Sequence, residues 1–255
     1  MSRNGIFDRW ARLAALAAAL WFGGSLSPAG AEPAFPAPFV ALSDIDPTIR
    51  QDMRYAGRNN FIGRPLAGYD APSCLVAEAA ARALARAQAV LTDRGLSLMV
   101  LDCYRPQQAT DDMMRWAAEK PDARSWWHPA IRRGRLFDRG YIARRSGHSR
   151  GYSVDLTIIR MDAASDRTFN ETADCTQPPA DGATALDFGT AFDCFDPSSA
   201  TQSTAVSRQA RVNRSLLVSV MTKAGFRNYA QEWWHFSLVT MPADAAYHDF
   251  AIRDR

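Results

Sequence analysis

His148 and Asp155 stand seven positions apart in SGHSRGYSVD, residues 146–155. Imidazole and carboxylate are two of the three protein ligands that a catalytic zinc site uses, with a fourth position kept open for water. Eighty positions after Asp155, the run Glu232-Trp233-Trp234-His235 supplies a second imidazole and, three residues before it, another carboxylate. His235 can complete a two-histidine, one-carboxylate set for one Zn2+ per chain, with Glu232 able to act as the base; the same run also reads as a packed aromatic strand with a structural histidine. Arg105, in Tyr104-Arg105-Pro106, follows an apolar run. A guanidinium held at a strand end can stabilise a developing oxyanion. The chain has four histidines in all; His128 and His248 belong to no such pattern and read as packing or surface residues.

These groups need rigid elements behind them. Ser153 to Ile158 alternates, with Ser153, Asp155 and Thr157 on one face of a strand and Val154, Leu156 and Ile158 on the other. Gly147 and Gly151 allow a tight entry into it. The aromatic run Tyr229–Val239 reads as another strand. A regular strand sends residues i and i+3 to opposite faces, so Glu232 and His235 can share a site only if the backbone bulges or turns between them. Pro72-Ser73 starts a helix that Cys74 opens, with Val76, Ala80, Leu84, Ala87 and Leu91 on its apolar stripe and Gly95 as its stop. Leu96–Leu101 is a buried strand. Pro106 begins a second helix with Ala109, Met113 and Trp116 inward. Ser207–Ala224 is a third, with Leu216, Leu217, Val220 and Met221 inward. Residues 161–205 are rich in Asp, Thr, Ser, Pro and Ala and read as a long polar loop or insertion. The expected architecture is one α+β domain over residues 32–255, a small, mostly antiparallel sheet flanked by helices.

Composition is ordinary for a globular protein, 47% hydrophobic and 22% charged over 255 residues, and excludes a wholly disordered chain, a collagen-like repeat and a coiled coil. A formal charge of +3 is too mild to suggest nucleic acid as a partner. Arg3, Arg9 and Arg12 precede the apolar run Leu13–Phe22, and small residues follow up to Ala31. That is the pattern of a secretory signal peptide over residues 1–31, too short in its apolar part for the ~20 residues of a membrane span. The expected location is secreted, in a periplasm, with no membrane span after cleavage. In an oxidising compartment the even set Cys74, Cys103, Cys175 and Cys194 implies two disulfides. Four cysteines allow three pairings; 74–103 and 175–194 are favoured because both close locally.

Together, S-x-H-x-x-G-x-x-x-D, the later E-x-x-H and the preceding Y-R-P resemble the zinc D-alanyl-D-alanine dipeptidases of the VanX type. That family shares a fold with the zinc D-Ala-D-Ala carboxypeptidases and the Hedgehog signalling domain. The resemblance runs from Asp52 to His235 and includes DMRYAGRNNFIGRPLAGYD at 52–70, GYIARRSGHSRGYSVDLTI at 140–158 and FGTAFDCFD at 188–196. It implies His148, Asp155 and His235 as zinc ligands, Glu232 as general base and acid, and Arg105 as transition-state stabiliser. It places Tyr55, Ser146 and Asp193 at the substrate, a small D-amino-acid dipeptide, with Asp193 facing its free ammonium. A carboxypeptidase of the same fold would leave the amino side open, and a wall-binding module with a structural zinc would need neither Glu232 nor Arg105. Gly147, Tyr152-Ser153, the leader and the four cysteines depart from the family pattern.

Overall fold

The computed structural model describes residues 35–162, 174–177 and 184–253. The leader expected over residues 1–31 and much of the expected insertion lie outside the described residues. Five strands form the main sheet: β2 (Arg50–Gln51), β4 (Leu96–Asp102), β5 (Ser153–Arg160), β6 (Phe226–Asn228) and β7 (His235–Leu238). Their spatial order is β2-β4-β5-β7-β6. Only β2 and β4 run parallel; the other neighbours are antiparallel. A separate antiparallel ribbon joins β1 (Phe39–Ala41) to β3 (Leu75–Ala77). The helices are α1 (Leu42–Ile45), α2 (Glu78–Thr92), α3 (Gln107–Glu119) and α4 (Arg208–Lys223). The molecule is α+β with a mixed, mostly antiparallel sheet. Among the described residues no helix is long and apolar enough to cross a membrane.

Each helix follows its stripe. Ala80, Leu84, Ala87 and Leu91 of α2 are fully buried, and Glu78 pairs with Arg82 one turn on at 2.6 Å on the solvent side. α2 packs on β4, and α4 packs on β6 and against α2. In α4, Leu217, Val220 and Met221 are buried, Leu216 half so, and Ser207 caps the first turn through the Ala210 amide at 3.0 Å.

Three expectations are corrected. Cys74 does not open a helix. Leu75, Val76 and Ala77 are all buried and pair with Phe39–Ala41, so the chain stays extended until Glu78. Leu75 and Val76 have no free face, which suits a covered strand better than the end of an amphipathic helix. Tyr229–Val239 is not one strand: β6 and β7 are joined by a turn over residues 229–234, and only His235–Leu238 pairs with β5. Finally, the described part of the expected polar loop is largely interior. Phe188, Phe192, Cys194 and Phe195 are buried, and Leu186, Phe188 and Phe192 share a small cavity with Met99, Leu101 and Thr157 of the sheet. Aromatic residues spaced among Gly, Thr and Asp carry no helical or strand period, so the burial of this segment was not legible as a pattern.

Candidate active site

β5 is the spine of the site. Asp155 lies directly opposite His235 of β7 on one side and opposite Asp102 of β4 on the other. Cross-strand neighbours on one face touch, so residues eighty positions apart meet without any special loop. The result is a 2.9 Å contact between His235 Nδ1 and Asp155 Oδ1. His148 arrives from a short 3-10 turn, Gly147–Arg150, just before β5. Ser146 starts that turn, its Oγ accepting the His148 amide at 3.2 Å. Gly151 ends it at φ +78°, where a Cβ would come within 2.5 Å of the Phe39 ring. A side chain here would therefore be both strained and blocked.

His148 Nδ1 donates to the carbonyl oxygen of Cys103 at 2.7 Å. That bond fixes the tautomer and turns Nε2, with its lone pair, toward the other two residues. His148 Nε2 is 3.1 Å from His235 Nδ1 and 3.3 Å from Asp155 Oδ1. Among the described residues these three form the group able to hold a metal ion, their ligand atoms all within 4.8 Å of one another. The edges of a tetrahedron built on metal–ligand bonds of ~2.0–2.1 Å are ~3.3 Å. Two imidazole nitrogens and a carboxylate oxygen at 2.9–3.3 Å therefore fit a divalent cation between them. Asp155 is buried, which alone would raise its carboxyl pKa; the two imidazoles outweigh this and hold it below the usual carboxylate range.

Around this triangle lies a cavity of about 480 Å3 whose wall includes Tyr55, Arg105, Ser146, Asp193, Glu232 and Trp234. Every residue singled out from the sequence for ligand, acid–base, oxyanion or substrate contact thus faces one space. Glu232 sits in the β6–β7 turn, its amide bonded to the Tyr229 carbonyl at 3.0 Å. The turn supplies the departure from strand geometry that bringing Glu232 and His235 together required. Burial, then the nearby Asp155 and Asp193, push the Glu232 carboxyl well above its ordinary range. Asp193 is raised for the same first reason, and the Tyr55 hydroxyl donates to it at 2.9 Å. Arg105 is buried three residues past the end of β4, its Nε and Nη2 on Asp102 Oδ2 at 2.9 and 2.7 Å and its Nη2 3.6 Å from Asp155.

Two contributors escaped the sequence reading. Asp102 is fully buried, holds Arg105, accepts the Tyr69 hydroxyl and lies 3.4 Å from His148 Nδ1. Its signal was available: a carboxylate closing an apolar run three residues before the arginine. Asn228 donates from its side-chain amide to the carbonyls of Glu232 and His235, both at 3.0 Å, and so clamps the turn. Nothing local marks it. His128 is buried with Nδ1 on the Ile131 carbonyl at 2.9 Å, and the His248 ring packs edge-on against Phe39; neither borders the cavity.

The cysteines pair as Cys74–Cys103 and Cys175–Cys194. The profile of the M15 peptidases described as D-Ala-D-Ala dipeptidase matches residues 36–166 and 164–253. A D-alanyl-D-alanine dipeptidase of Streptomyces coelicolor is 38% identical over 84% of this chain and 98% of its own length. Those of Enterococcus faecalis and Escherichia coli are each 32% identical, over 84% and 82% of this chain and 98% and 86% of their own lengths. The chain belongs to the M15 peptidase family, in the group described as D-Ala-D-Ala dipeptidases.

Proposed function

We propose that this protein is a zinc dipeptidase that hydrolyses D-alanyl-D-alanine to two D-alanines. The observation that carries the reading is one cavity holding a metal-ligating triangle, a separate buried glutamate and a buried aspartate aimed at the same space. His148 Nε2, Asp155 and His235 Nδ1 hold the metal. When bound, zinc polarises a carbonyl oxygen and makes water acidic enough to be ionised near neutral pH. Glu232 takes the proton of the attacking water and passes it to the departing amine. A carboxyl with its proton affinity raised by burial is suited to that second duty. Arg105, braced on Asp102 against rotation, presents its charge to the oxyanion. Asp193, oriented by Tyr55, takes the substrate ammonium. A buried carboxylate is costly without a cation, so a free amine is favoured and an acylated one is rejected. The Ser146 oxygen accepts the His148 amide, so its own proton is available to the substrate carboxylate. The cavity is of small-molecule size.

The leader-like residues 1–31 and the two disulfides support an exported, periplasmic protein acting in cell-wall peptide turnover or glycopeptide resistance. The mixed sheet and its helices suit the fold shared by the D-Ala-D-Ala peptidases and the Hedgehog domain. The test is metal analysis of purified protein together with D-alanine release from D-Ala-D-Ala and from its N-acetyl form. We expect about one zinc per chain. The acetylated compound should be cleaved more poorly by on the order of 2–5 kcal/mol in kcat/KM, the usual loss when one partner of a buried charge pair is missing. Equal turnover of the two would favour the carboxypeptidase reading, and full activity after exhaustive chelation would remove the metal from the account.

A further inference from the structure

Asp193 has a backbone that needs holding. Its φ is +58°, the one positive value outside glycine among the described residues. Non-glycine residues avoid this left-handed region unless their surroundings enforce it. The surroundings are visible on both sides. Cys194, the next residue, is bonded to Cys175. Two residues before Asp193, the Ala191 amide donates to the Cys175 carbonyl at 2.8 Å. Two residues after it, the Phe195 amide donates to the Trp127 carbonyl at 2.8 Å, and the Cys175 amide itself donates to the Trp126 carbonyl at 3.1 Å. The Ser199 hydroxyl donates to the Cys194 carbonyl at 2.6 Å. Residues 191–195 are thus wrapped around one half-cystine. Cys175 and Cys194 are both fully buried, with Ala191 as their buried apolar neighbour.

We propose that Cys175 and Cys194 are positioning residues: their disulfide holds the Asp193 carboxylate in the geometry that recognises a substrate ammonium, and so sets the preference for free dipeptides. This rests on the reading of Asp193 given above and extends it to residues that touch no substrate. The other disulfide makes a useful contrast. Cys103 lends its carbonyl to His148 Nδ1, so Cys74–Cys103 braces the metal side of the cavity. The two cross-links thus back different residues of the site, His148 and Asp193.

The assay compares kcat and KM for D-Ala-D-Ala and N-acetyl-D-Ala-D-Ala across wild type, Asp193→Asn and Cys175→Ala/Cys194→Ala, all loaded with zinc. Misplacement of a positioning group by ~1 Å costs up to ~10²-fold. We therefore expect the double variant to raise KM for the free dipeptide about tenfold. The free-to-acetylated ratio of kcat/KM should narrow by a similar factor, with zinc content and kcat nearly unchanged. A purely structural disulfide would lower the melting temperature and leave the ratio as it was, and that result overturns the inference. If Asp193→Asn narrows the ratio while the double variant does not, the inference fails and the dipeptidase reading stands. If Asp193→Asn leaves the ratio untouched, the reading of Asp193 falls, and the inference with it. Should the double alanine variant not fold, Cys175→Val/Cys194→Ala refills the space without the cross-link and is judged by the same ratio.

Discussion

Glu232 and His235 are placed differently although only two tryptophans separate them. His235 points a ring nitrogen at Asp155 and His148; Glu232 contacts neither ligand among the hydrogen bonds of the site and lines the cavity instead. Glu232→Ala should therefore keep its zinc and lose ~10²–10⁴ in kcat, the usual worth of a positioned acid–base group. His235→Ala should lose zinc affinity along with rate. Metal content after dialysis, measured beside kcat, distinguishes them; zinc lost from Glu232→Ala and kept by His235→Ala would exchange their roles. The motif made both residues visible in the sequence. Their division of labour is what the family resemblance implies; how the backbone brings both to one cavity was not visible, because a linear E-x-x-H does not say where the chain turns.

The β6–β7 turn is the element that makes the division possible, and its clamp is Asn228. Its amide bridges the Glu232 and His235 carbonyls, and its oxygen accepts the Thr201 hydroxyl at 2.6 Å. Asn228→Ala removes one of the two donors to each carbonyl, the other being the His235 or Tyr229 amide, and should cost about 1 kcal/mol in urea unfolding. It should also cost about tenfold in kcat, since the base moves with the turn. Unchanged kcat would show that the turn holds its shape without the clamp. Outside the cavity lining, Asp112 on α3 ties the loop around Arg64 to the body of the protein through paired contacts of 2.7 and 2.9 Å. The Arg64 hydrogen bonds hold the Asp112 carboxyl below its ordinary range. A lowered folded-state pKa gives stability that is complete above the unfolded value near 3.9 and is lost as pH falls through the folded value. Arg64 is partly exposed, so the effect is modest, about 1 kcal/mol. Asp112→Asn should lower stability at neutral pH by that amount and converge with wild type in strong acid. A constant difference at every pH would mean that packing, not charge, is what Asp112 contributes.

Over the whole molecule, two cross-links and one His–Asp–His group able to hold a metal bring together segments that are remote in sequence. The disulfides span 29 and 19 residues, and loops of that length give roughly 3–4 kcal/mol each in the chain-entropy account. No cysteine is free. Denatured, unreduced protein should accordingly show no titratable thiol; four would contradict the structure outright. Metal that binds only the folded chain adds stability by mass action, ~2.7 kcal/mol when it exceeds its Kd a hundredfold. Chelation should thus lower the melting temperature while the fold survives, because the core of α2, α4 and the sheet does not depend on the ligands. Loss of all structure on chelation would place the metal in the folding core.

Much was written locally. The stripes of α2, α3 and α4 and the polar/apolar alternation of β5 are short-range patterns, read from residue types that recur every three to four positions or every second one, although β5 proves buried on both faces. The types and spacings of His148, Asp155, Glu232 and His235 likewise announced metal-assisted hydrolysis before any fold was drawn. The burial of Asp102 beneath Arg105, the clamp of Asn228 and the left-handed Asp193 beside a half-cystine were decided only by tertiary structure. So were the short strands β1, β2 and β6. The physical reason is the same in each case. Strands of two or three residues and single buried polar groups have no period of their own; they take their conformation from a partner elsewhere in the chain, and that partner is known only once the sheet has placed Asp155 between Asp102 and His235.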